Sequence, residues 1–409
     1  MPYSRCLPPI LLLPILILLL PQLPLAAGEG TSEQETREID ESRLKQLSSR
    51  WYVLPGERPL YYLRDGDRYV DLFSYHMSDS NHDGTDEVRI SHDERYLIID
   101  SQGYPNHPTA IFPNSSNPNS IKTQQFRFRL PLEPKLANHI TRLPMGPIGV
   151  ALNGVVFFNP FEFGGMNAVE GYSEVWLDSC CGHPQQNGVY HYHKYPSCVK
   201  SPFKDDGKRH SPVIGFAFDG FPVYGPYESD GQLAMDLRGE QALDVCNGHT
   251  DTERGYHYHV TPGRFPYILG GYAGVVERSN NRTIDPRRTG AIEDNSSGKS
   301  SLGSAIRTLT PGTLVAGKKQ TVVIQLNTSS RSRGGVPESE PSWVQVGPFE
   351  AKKIQRRGAS IVVELDIPDD AALGVLFDCH LEFETSGGRR PLVFKKNEVL
   401  RVIADSAEK

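Results

Sequence analysis

The chain has 409 residues and a formal net charge of −6, so it is long enough for two or three domains and lacks the basic excess of a nucleic-acid-binding protein. It contains 38 glycines and 32 prolines, and long apolar helical patterns are scarce after the N-terminus. This composition favours a turn-rich protein made mainly of β-strands.

Residues 1–27 have the pattern of a secretory signal peptide. Arg5 supplies a positive charge, the run from Leu7 to Leu25 is apolar, and Ala26 and Ala27 offer the small residues of a cleavage site. The alternative is an uncleaved membrane anchor. We expect cleavage and export, to the medium, the periplasm or the cell surface, with no membrane contact afterwards, because no other segment reaches the roughly 18 apolar residues of a spanning helix.

The polar segment 28–50 is predicted to be a flexible N-terminus, and residues 51–276 a single β-rich domain that begins with hairpins. Within it, Asp79, Asn81 and Asp83 match the first ligand positions of a calcium loop. However, isoleucine stands where the loop requires a bidentate glutamate, so an acidic turn is favoured over a calcium site.

The segments 148–196 and 214–262 repeat one another without a gap, at an offset of 66 residues. Both carry the pattern Asp-x-Cys-x-Gly-His, followed by Tyr-His-Tyr-His. Of the 13 histidines, only six recur in this frame, as the pairs His183/His249, His191/His257 and His193/His259. The pattern predicts a duplicated unit, in which two similar β-subunits pack with pseudo-two-fold symmetry.

The Tyr-His-Tyr-His motif predicts two imidazoles on one face of a strand. Alternate residues of a strand point the same way and lie about 6.5–7 Å apart, so His191 and His193 share one face while Tyr190 and Tyr192 share the other. Two such imidazoles, with a third from a neighbouring strand, suit a transition-metal ion, and copper and zinc are the candidates.

The third imidazole depends on the hairpin that precedes the motif. A two-residue turn at Asn187-Gly188 would put His183 on the tyrosine face, whereas a three-residue loop would put it on the histidine face. The second copy has Glu253-Arg254-Gly255 at this point, which favours the three-residue loop. The predicted ligands are therefore His183, His191, His193, His249, His257 and His259, with His107 as a candidate from outside the repeats.

Other roles remain open for these residues. The histidines could serve only as hydrogen-bonded architecture, and His107 could belong to a proline-bounded turn. Asp178 and Asp244 could orient an imidazole from behind or cap a turn. Tyr190 and Tyr256 could support the ligands or donate protons in a metal-dependent reaction.

These motifs identify residues 95–276, nearly half of the chain, as similar to the YHYH-domain family, which is named after two Tyr-His-Tyr-His motifs, and residues 51–276 are taken as the YHYH domain. The matching stretches run from "SQGYPNHP" at residue 101 to "GGYAG" at residue 274. The resemblance implies an exported protein and a Cys180–Cys198 disulfide, and it implies no reaction. Family members often have a cysteine where this chain has Gly271, so the second disulfide of the family, through Cys246, is in doubt.

The C-terminal part is predicted to be a separate domain. Residues 277–305 are rich in Ser, Gly and Asn and are predicted to be a linker. Residues 306–405 contain short alternating strands, which are typical of an immunoglobulin-like β-sandwich that could contact an extracellular partner or surface.

Three functions fit the sequence. The first is an exported protein that binds copper or zinc through the two histidine repeats. The second is a metal-free extracellular interaction or structural module. The third is a metal-dependent hydrolase or oxidoreductase, although the chain contains no G-x-S-x-G or H-E-x-x-H motif and no substrate is implied.

Overall fold

The computed structural model describes residues 40–77, 87–161, 167–169, 175–199, 205, 207–293, 306–327, 336–347, 349–368, 371, 376–384 and 392–403. All of them belong to one compact unit. The signal-peptide segment and the calcium candidates Asp79, Asn81 and Asp83 fall outside the described residues.

The described residues confirm a mainly β protein with several sheets. They contain no α-helix, and their four short 3-10 helices are Glu41–Arg43, Ser74–His76, Ala234–Asp236 and Gly239–Gln241. In this part of the chain we find no helix with the length and apolar character that a membrane crossing requires.

Two antiparallel sheets precede the repeats. The first contains β1 (Lys45–Gln46), β2 (Trp51–Leu54), β3 (Leu60–Asp65) and β4 (Arg68–Asp71), in that order. The second contains β5 (Val88–His92), β6 (Tyr96–Ser101) and β7 (Phe126–Pro131), and is followed by β8 (Leu136–Thr141). Burial alternates along β2 and β6, as expected for strands with one face on a core. Because β1 pairs with β2, the predicted flexible segment 28–50 includes residues of a sheet.

The repeats form an eight-stranded mixed sheet. Its strands are β9 (Pro147–Ala151), β10 (Val156–Phe158), β11 (Gly182–Pro184), β12 (Tyr190–Tyr192), β13 (Val213–Ala217), β14 (Pro222–Tyr224), β15 (Gly248–Asp251) and β16 (Gly255–His259). They lie in the order β11-β12-β10-β9-β13-β14-β16-β15. The pairs β10–β12 and β14–β16 are parallel, and the other neighbours are antiparallel.

The pairing on the two sides of this sheet follows the same 66-residue offset. His183 lies opposite His191, and His249 lies opposite His257. In the middle, β9 pairs with β13 so that Val150 lies opposite Phe216, its own counterpart in the repeat. The strand β17 (Tyr272–Gly274) then pairs with β8 in a separate two-stranded sheet.

A second eight-stranded sheet forms the C-terminal part. It contains β18 (Ile306–Thr310), β19 (Thr313–Val315), β20 (Lys319–Leu326), β21 (Trp343–Val346), β22 (Phe349–Arg357), β23 (Ser360–Asp366), β24 (Leu376–Phe383) and β25 (Leu392–Ile403). The order is β18-β20-β23-β22-β21-β24-β25-β19. The long strand β22 pairs with β21 through its first residues and with β23 through the rest.

Part of the predicted linker 277–305 belongs to the packed structure. Ile284 and Ile292 are buried, and the backbone N–H groups of Gly290 and Ile292 donate to the carbonyls of Ile140 and Gly270. These two isoleucines stand alone among polar residues, so they give no periodic hydrophobic signal from which packing could be predicted.

Candidate metal centres

Both Tyr-His-Tyr-His hairpins have the three-residue loop that places their histidines on one face. Gln185 pairs with Val189 around residues 186–188, and Asp251 pairs with Gly255 around residues 252–254. Gly188 has a φ of 80°, in the left-handed region where glycine is favoured. The three histidines of each copy therefore come together.

The first cluster consists of His183, His191 and His193. The Nε2 atom of His191 lies 3.1 Å from that of His183 and 3.0 Å from that of His193. All three side chains are buried, and the ring of Phe158 stacks on His191 with a centroid separation of 3.8 Å. Three imidazole nitrogens therefore converge on one point inside the protein.

The backbone fixes which nitrogen carries the proton. His191 donates from Nδ1 to the Val189 carbonyl, and His193 donates from Nδ1 to the Asn159 carbonyl, at 3.0 and 2.8 Å. Since a carbonyl only accepts, the Nε2 atoms of these neutral rings carry lone pairs. Two lone pairs that face each other at 3.0 Å repel, unless a cation or an additional proton lies between them.

The second cluster repeats this arrangement. His257 donates from Nδ1 to the Gly255 carbonyl at 2.8 Å, and His259 donates to the Gly225 carbonyl at 2.6 Å. These carbonyls stand 66 residues after those of Val189 and Asn159. His249 donates to the Gln241 carbonyl, and its Nε2 lies 3.1 Å from that of His257.

Two further donors join the second cluster. His210 donates from Nδ1 to the Ser211 carbonyl, and its Nε2 lies 3.4 Å from that of His257. The Glu228 Oε1 atom lies 3.0 Å from Nε2 of both His249 and His259. Four imidazoles and one carboxylate thus meet at this point.

The sequence prediction missed both residues. Glu228 could have been found from the sequence, because Glu162 and Glu228 are separated by 66 residues, as the paired histidines are. Glu162 itself lies outside the described residues. His210 gave no such signal, since its counterpart in the first copy is Pro144.

The surroundings favour neutral imidazoles. Burial and the facing rings of His183 and His193 hold the pKa of His191 well below its usual range, and burial lowers the pKa of His193 to about 4. In the second cluster, burial and the ring of His259 lower the pKa of His257 well below its usual range, and burial, His259 and Arg254 lower the pKa of His210 to about 3.

Glu228 has the opposite effect on one imidazole, because it raises the pKa of His249. Burial by itself would lower the pKa of His249, but the contact with Glu228 and the Gln241 carbonyl outweigh it and raise that pKa. Burial likewise opposes ionisation of Glu228, yet His249 and His259 hold its pKa well below the usual value. The carboxylate is therefore charged and available to a cation.

The acidic and aromatic residues behind the motif contact one another rather than the imidazoles. Tyr190 donates its hydroxyl proton to Asp178 at 2.7 Å, and Tyr256 donates to Asp244 at 2.9 Å. Asp178 also accepts the backbone N–H groups of Cys180 and Gly182, so it caps this turn. The backbone carbonyls, and not these aspartates, orient His191, His193, His257 and His259.

His107 lies on the tyrosine side of the sheet. Its Nε2 accepts the Tyr192 hydroxyl at 2.6 Å, and its Nδ1 donates to the Pro108 carbonyl. It is also close to Cys180 and Cys198. Those two sulfurs are bonded to each other, which confirms the Cys180–Cys198 disulfide that the family resemblance implied.

Comparison with known proteins gives one informative match. No curated protein matches the chain. A solved structure, "Structure of surface layer protein SbsC, domains 1-6", is 10% identical, with a TM-score of 0.13 over 89% of this chain and 52% of that one. This chain thus spans about half of that protein, and the likeness is too low to carry an argument. The family model described as "YHYH protein" matches residues 127–236, and it supports the assignment of this part of the chain to the YHYH family.

Proposed function

We propose that the protein is an exported transition-metal-binding protein, with one centre for copper or zinc in each histidine cluster. The observation that carries this proposal is that imidazole Nε2 lone pairs face each other, His191 against His193 at 3.0 Å and His249 against His257 at 3.1 Å, on rings whose Nδ1 protons are already donated to backbone carbonyls. A ligand imidazole in a metal protein is typically held through its other nitrogen in this way.

The donor sets fit such an ion. Four ligands at 2.0–2.1 Å in a tetrahedron lie about 3.3 Å apart, so the observed separations need to widen by only a few tenths of an ångström. Imidazole suits copper and zinc alike. The second cluster adds the negative charge of Glu228, which offsets part of the charge of a divalent ion.

Metal content tests the proposal directly. The purified chain is loaded with Cu²⁺ or Zn²⁺, dialysed, and measured by elemental mass spectrometry. We expect two ions per chain in the wild type. We expect one ion in His191→Ala/His193→Ala and one in His257→Ala/His259→Ala, because each variant removes two ligands from a single centre.

The matched control is His139→Ala, since His139 is exposed and belongs to neither cluster. Because the cluster histidines are buried, circular dichroism must first show that each double variant is folded. If a double variant does not fold, His183→Ala and His249→Ala replace it. A wild type that retains less than about 0.2 ion per chain would rule out the metal function.

A metal-free interaction module remains the second candidate function. In the second cluster, the contact between Glu228 and His249 favours it. A protonated His249 could form an ion pair with Glu228 at 3.0 Å without any metal. The first cluster opposes this reading, because the low pKa values of His191 and His193 disfavour an additional proton between them.

A metal-dependent hydrolase or oxidoreductase is the third candidate. The cavity beside Glu228 and His249 would give a small molecule access to the second centre, but the structure indicates no substrate class. A metal-loaded chain that turns over neither ester nor phenol substrates would leave the binding function as the one supported.

We also propose that residues 148–196 and 214–262 are two copies of one unit related by a pseudo-two-fold axis. The equal strand registers and the pairing of Val150 with Phe216 support this duplication. Superposition of the two segments in an experimental structure would test it, and a poor superposition of the paired strands would contradict it.

For the flanks we propose a cleaved signal peptide at residues 1–27 and an immunoglobulin-like sandwich at residues 306–405 that contacts an extracellular partner or surface. The order of the C-terminal strands and the two partners of β22 are compatible with two packed sheets. N-terminal sequencing of the exported protein tests the first point, since a product that begins at Met1 would contradict cleavage.

A further inference from the structure

A cavity of about 530 Å³ lies against the second histidine cluster. Glu228 and His249, two of the donors of that cluster, form part of its wall. The remaining wall is polar for the most part, and it includes the hairpin loop 252–254, which connects β15 to β16. The cavity therefore contacts two donor residues of the second cluster, Glu228 and His249, and the hairpin loop beside them.

The charge in this cavity is predominantly negative. Besides Glu228, the described residues that line it include Asp230, Asp251 and Glu253, and Arg254 is the only lysine or arginine among these described residues. Arg254 is held by carboxylates, with its guanidinium 3.1 Å from Asp65, 3.0 Å from Asp251 and 3.1 Å from Glu253. Its single charge offsets one carboxylate and leaves the lining negative.

An independent observation at the inner end points to a cation. The His259 Nε2 atom is fully buried and has no hydrogen-bond partner among the described residues, and it lies 3.0 Å from Glu228 Oε1. The Nδ1 proton of His259 is donated to the Gly225 carbonyl, so a neutral His259 presents a lone pair to a carboxylate oxygen. A positive ion at this point would satisfy both atoms.

We infer that this cavity is the route by which a hydrated divalent transition-metal ion enters and leaves the second centre. This inference rests on the proposed metal function. A cleft lined by charges of one sign raises the local concentration of the opposite ion and accelerates association, and salt weakens the effect. Asp230 and Glu253 steer the ion inwards, and Glu228 receives it at the inner wall.

Association kinetics test the route. Co²⁺ is mixed with the purified chain in a stopped-flow instrument, and its visible absorption is followed at low and high salt. The double variant Asp230→Asn/Glu253→Gln retains the shape of the cavity and loses two charges. We expect the association rate of one kinetic phase to fall about tenfold at low salt, and less than about twofold in 1 M salt.

The matched control is Glu338→Gln, which removes an exposed carboxylate from the C-terminal part and should leave both phases unchanged. Because Asp230 and Glu253 are exposed, the double variant should fold and bind as many ions at equilibrium as the wild type.

The outcomes separate the two proposals. If the variant binds the full number of ions at wild-type rates, or if both phases slow equally, the entry route is wrong and the metal function stands. If the wild type binds no Co²⁺, Cu²⁺ or Zn²⁺ at equilibrium, the metal function fails and the route fails with it.

Discussion

The two histidine clusters share one strand framework and differ in what the flanking chain adds to it. In each, a three-residue hairpin and a Tyr-His-Tyr-His strand present three imidazoles. The second cluster also receives His210, from the segment before β13, where the first copy has Pro144. The comparison teaches that the corresponding strands bring together the same three imidazoles in each cluster, while residues outside these strands determine how many further donor groups each cluster has.

The difference extends to the tyrosine side of the sheet. Asn153 donates to the Tyr192 hydroxyl in the first copy, whereas its counterpart Asp219 accepts the Tyr258 hydroxyl in the second. Both side chains are fully buried. The same position therefore holds a neutral amide in one copy and an ionisable carboxyl in the other.

The largest expected effect on stability comes from Asp219, the buried carboxyl that takes the place of Asn153. Burial raises the pKa of Asp219 from 3.8 to about 6, although its hydrogen bonds to Tyr258 and the backbone oppose the rise. Because the folded-state pKa lies above the unfolded one, this group favours folding below about pH 4 and loses that contribution as the pH rises through about 6. The loss is about 3 kcal/mol.

Urea denaturation at pH 4.5 and pH 7 checks this prediction. Asp219→Asn should make the decrease in the free energy of unfolding between the two pH values smaller than in the wild type, and the part that remains is expected from Asp178, whose pKa burial raises to about 7. The converse variant Asn153→Asp is the matched control and should steepen the decrease. Parallel pH profiles for all three proteins would contradict the raised pKa.

The next effect concerns the donor that distinguishes the clusters. His210→Ala should weaken the binding of Cu²⁺ to the second centre by about a hundredfold, because it removes an imidazole with a preset lone pair. Titration against a chelator should resolve this weaker site from an unchanged first site. With His139→Ala as the control, equal affinities in both variants would mean that His210 is not a ligand.

The smallest effect concerns the cysteines of the two copies. The first copy has the Cys180–Cys198 disulfide, whereas Cys246 in the second is a buried free thiol. A Cβ atom placed on Gly271 would lie 3.2 Å from the Cys246 sulfur. This is close to the distance between the Cβ atom of one cysteine and the sulfur of the other in a disulfide. Gly271→Cys should therefore form a second bridge and stabilise the protein by about 2 kcal/mol, after Ile140 moves aside.

Thiol titration under denaturing conditions checks the new bridge. The variant should have one reactive thiol fewer than the wild type, and Gly271→Ser should have the same number as the wild type and no added stability. A variant with one thiol more than the wild type would show that no bridge had formed.

Sequence reasoning predicted the strand-rich architecture and the meeting of His183 with His191, because strand period and hairpin length are local properties. It also predicted the Cys180–Cys198 disulfide, through the family resemblance. It did not predict that His210 joins the second cluster. This residue lies before β13, outside the Tyr-His-Tyr-His hairpins, and contacts His257 only through tertiary packing. For the same reason it assigned residues 277–305 to a linker and did not predict the burial of Ile284 and Ile292, which depends on partners that are distant in the sequence.

The central pair of strands has a consequence for how such a sheet can originate. β9 and β13 pair in the way that identical strands pair across a two-fold axis, with Val150 opposite its counterpart Phe216. Two separate chains, each with one half of the sheet, could assemble through this edge as an isologous homodimer. Joining the two halves in one chain, through residues 197–212, gives each half an effective concentration of about a millimolar near the other. The edge strand of one half, which would be exposed and could pair with strands of other molecules, therefore stays paired with the edge strand of the other half.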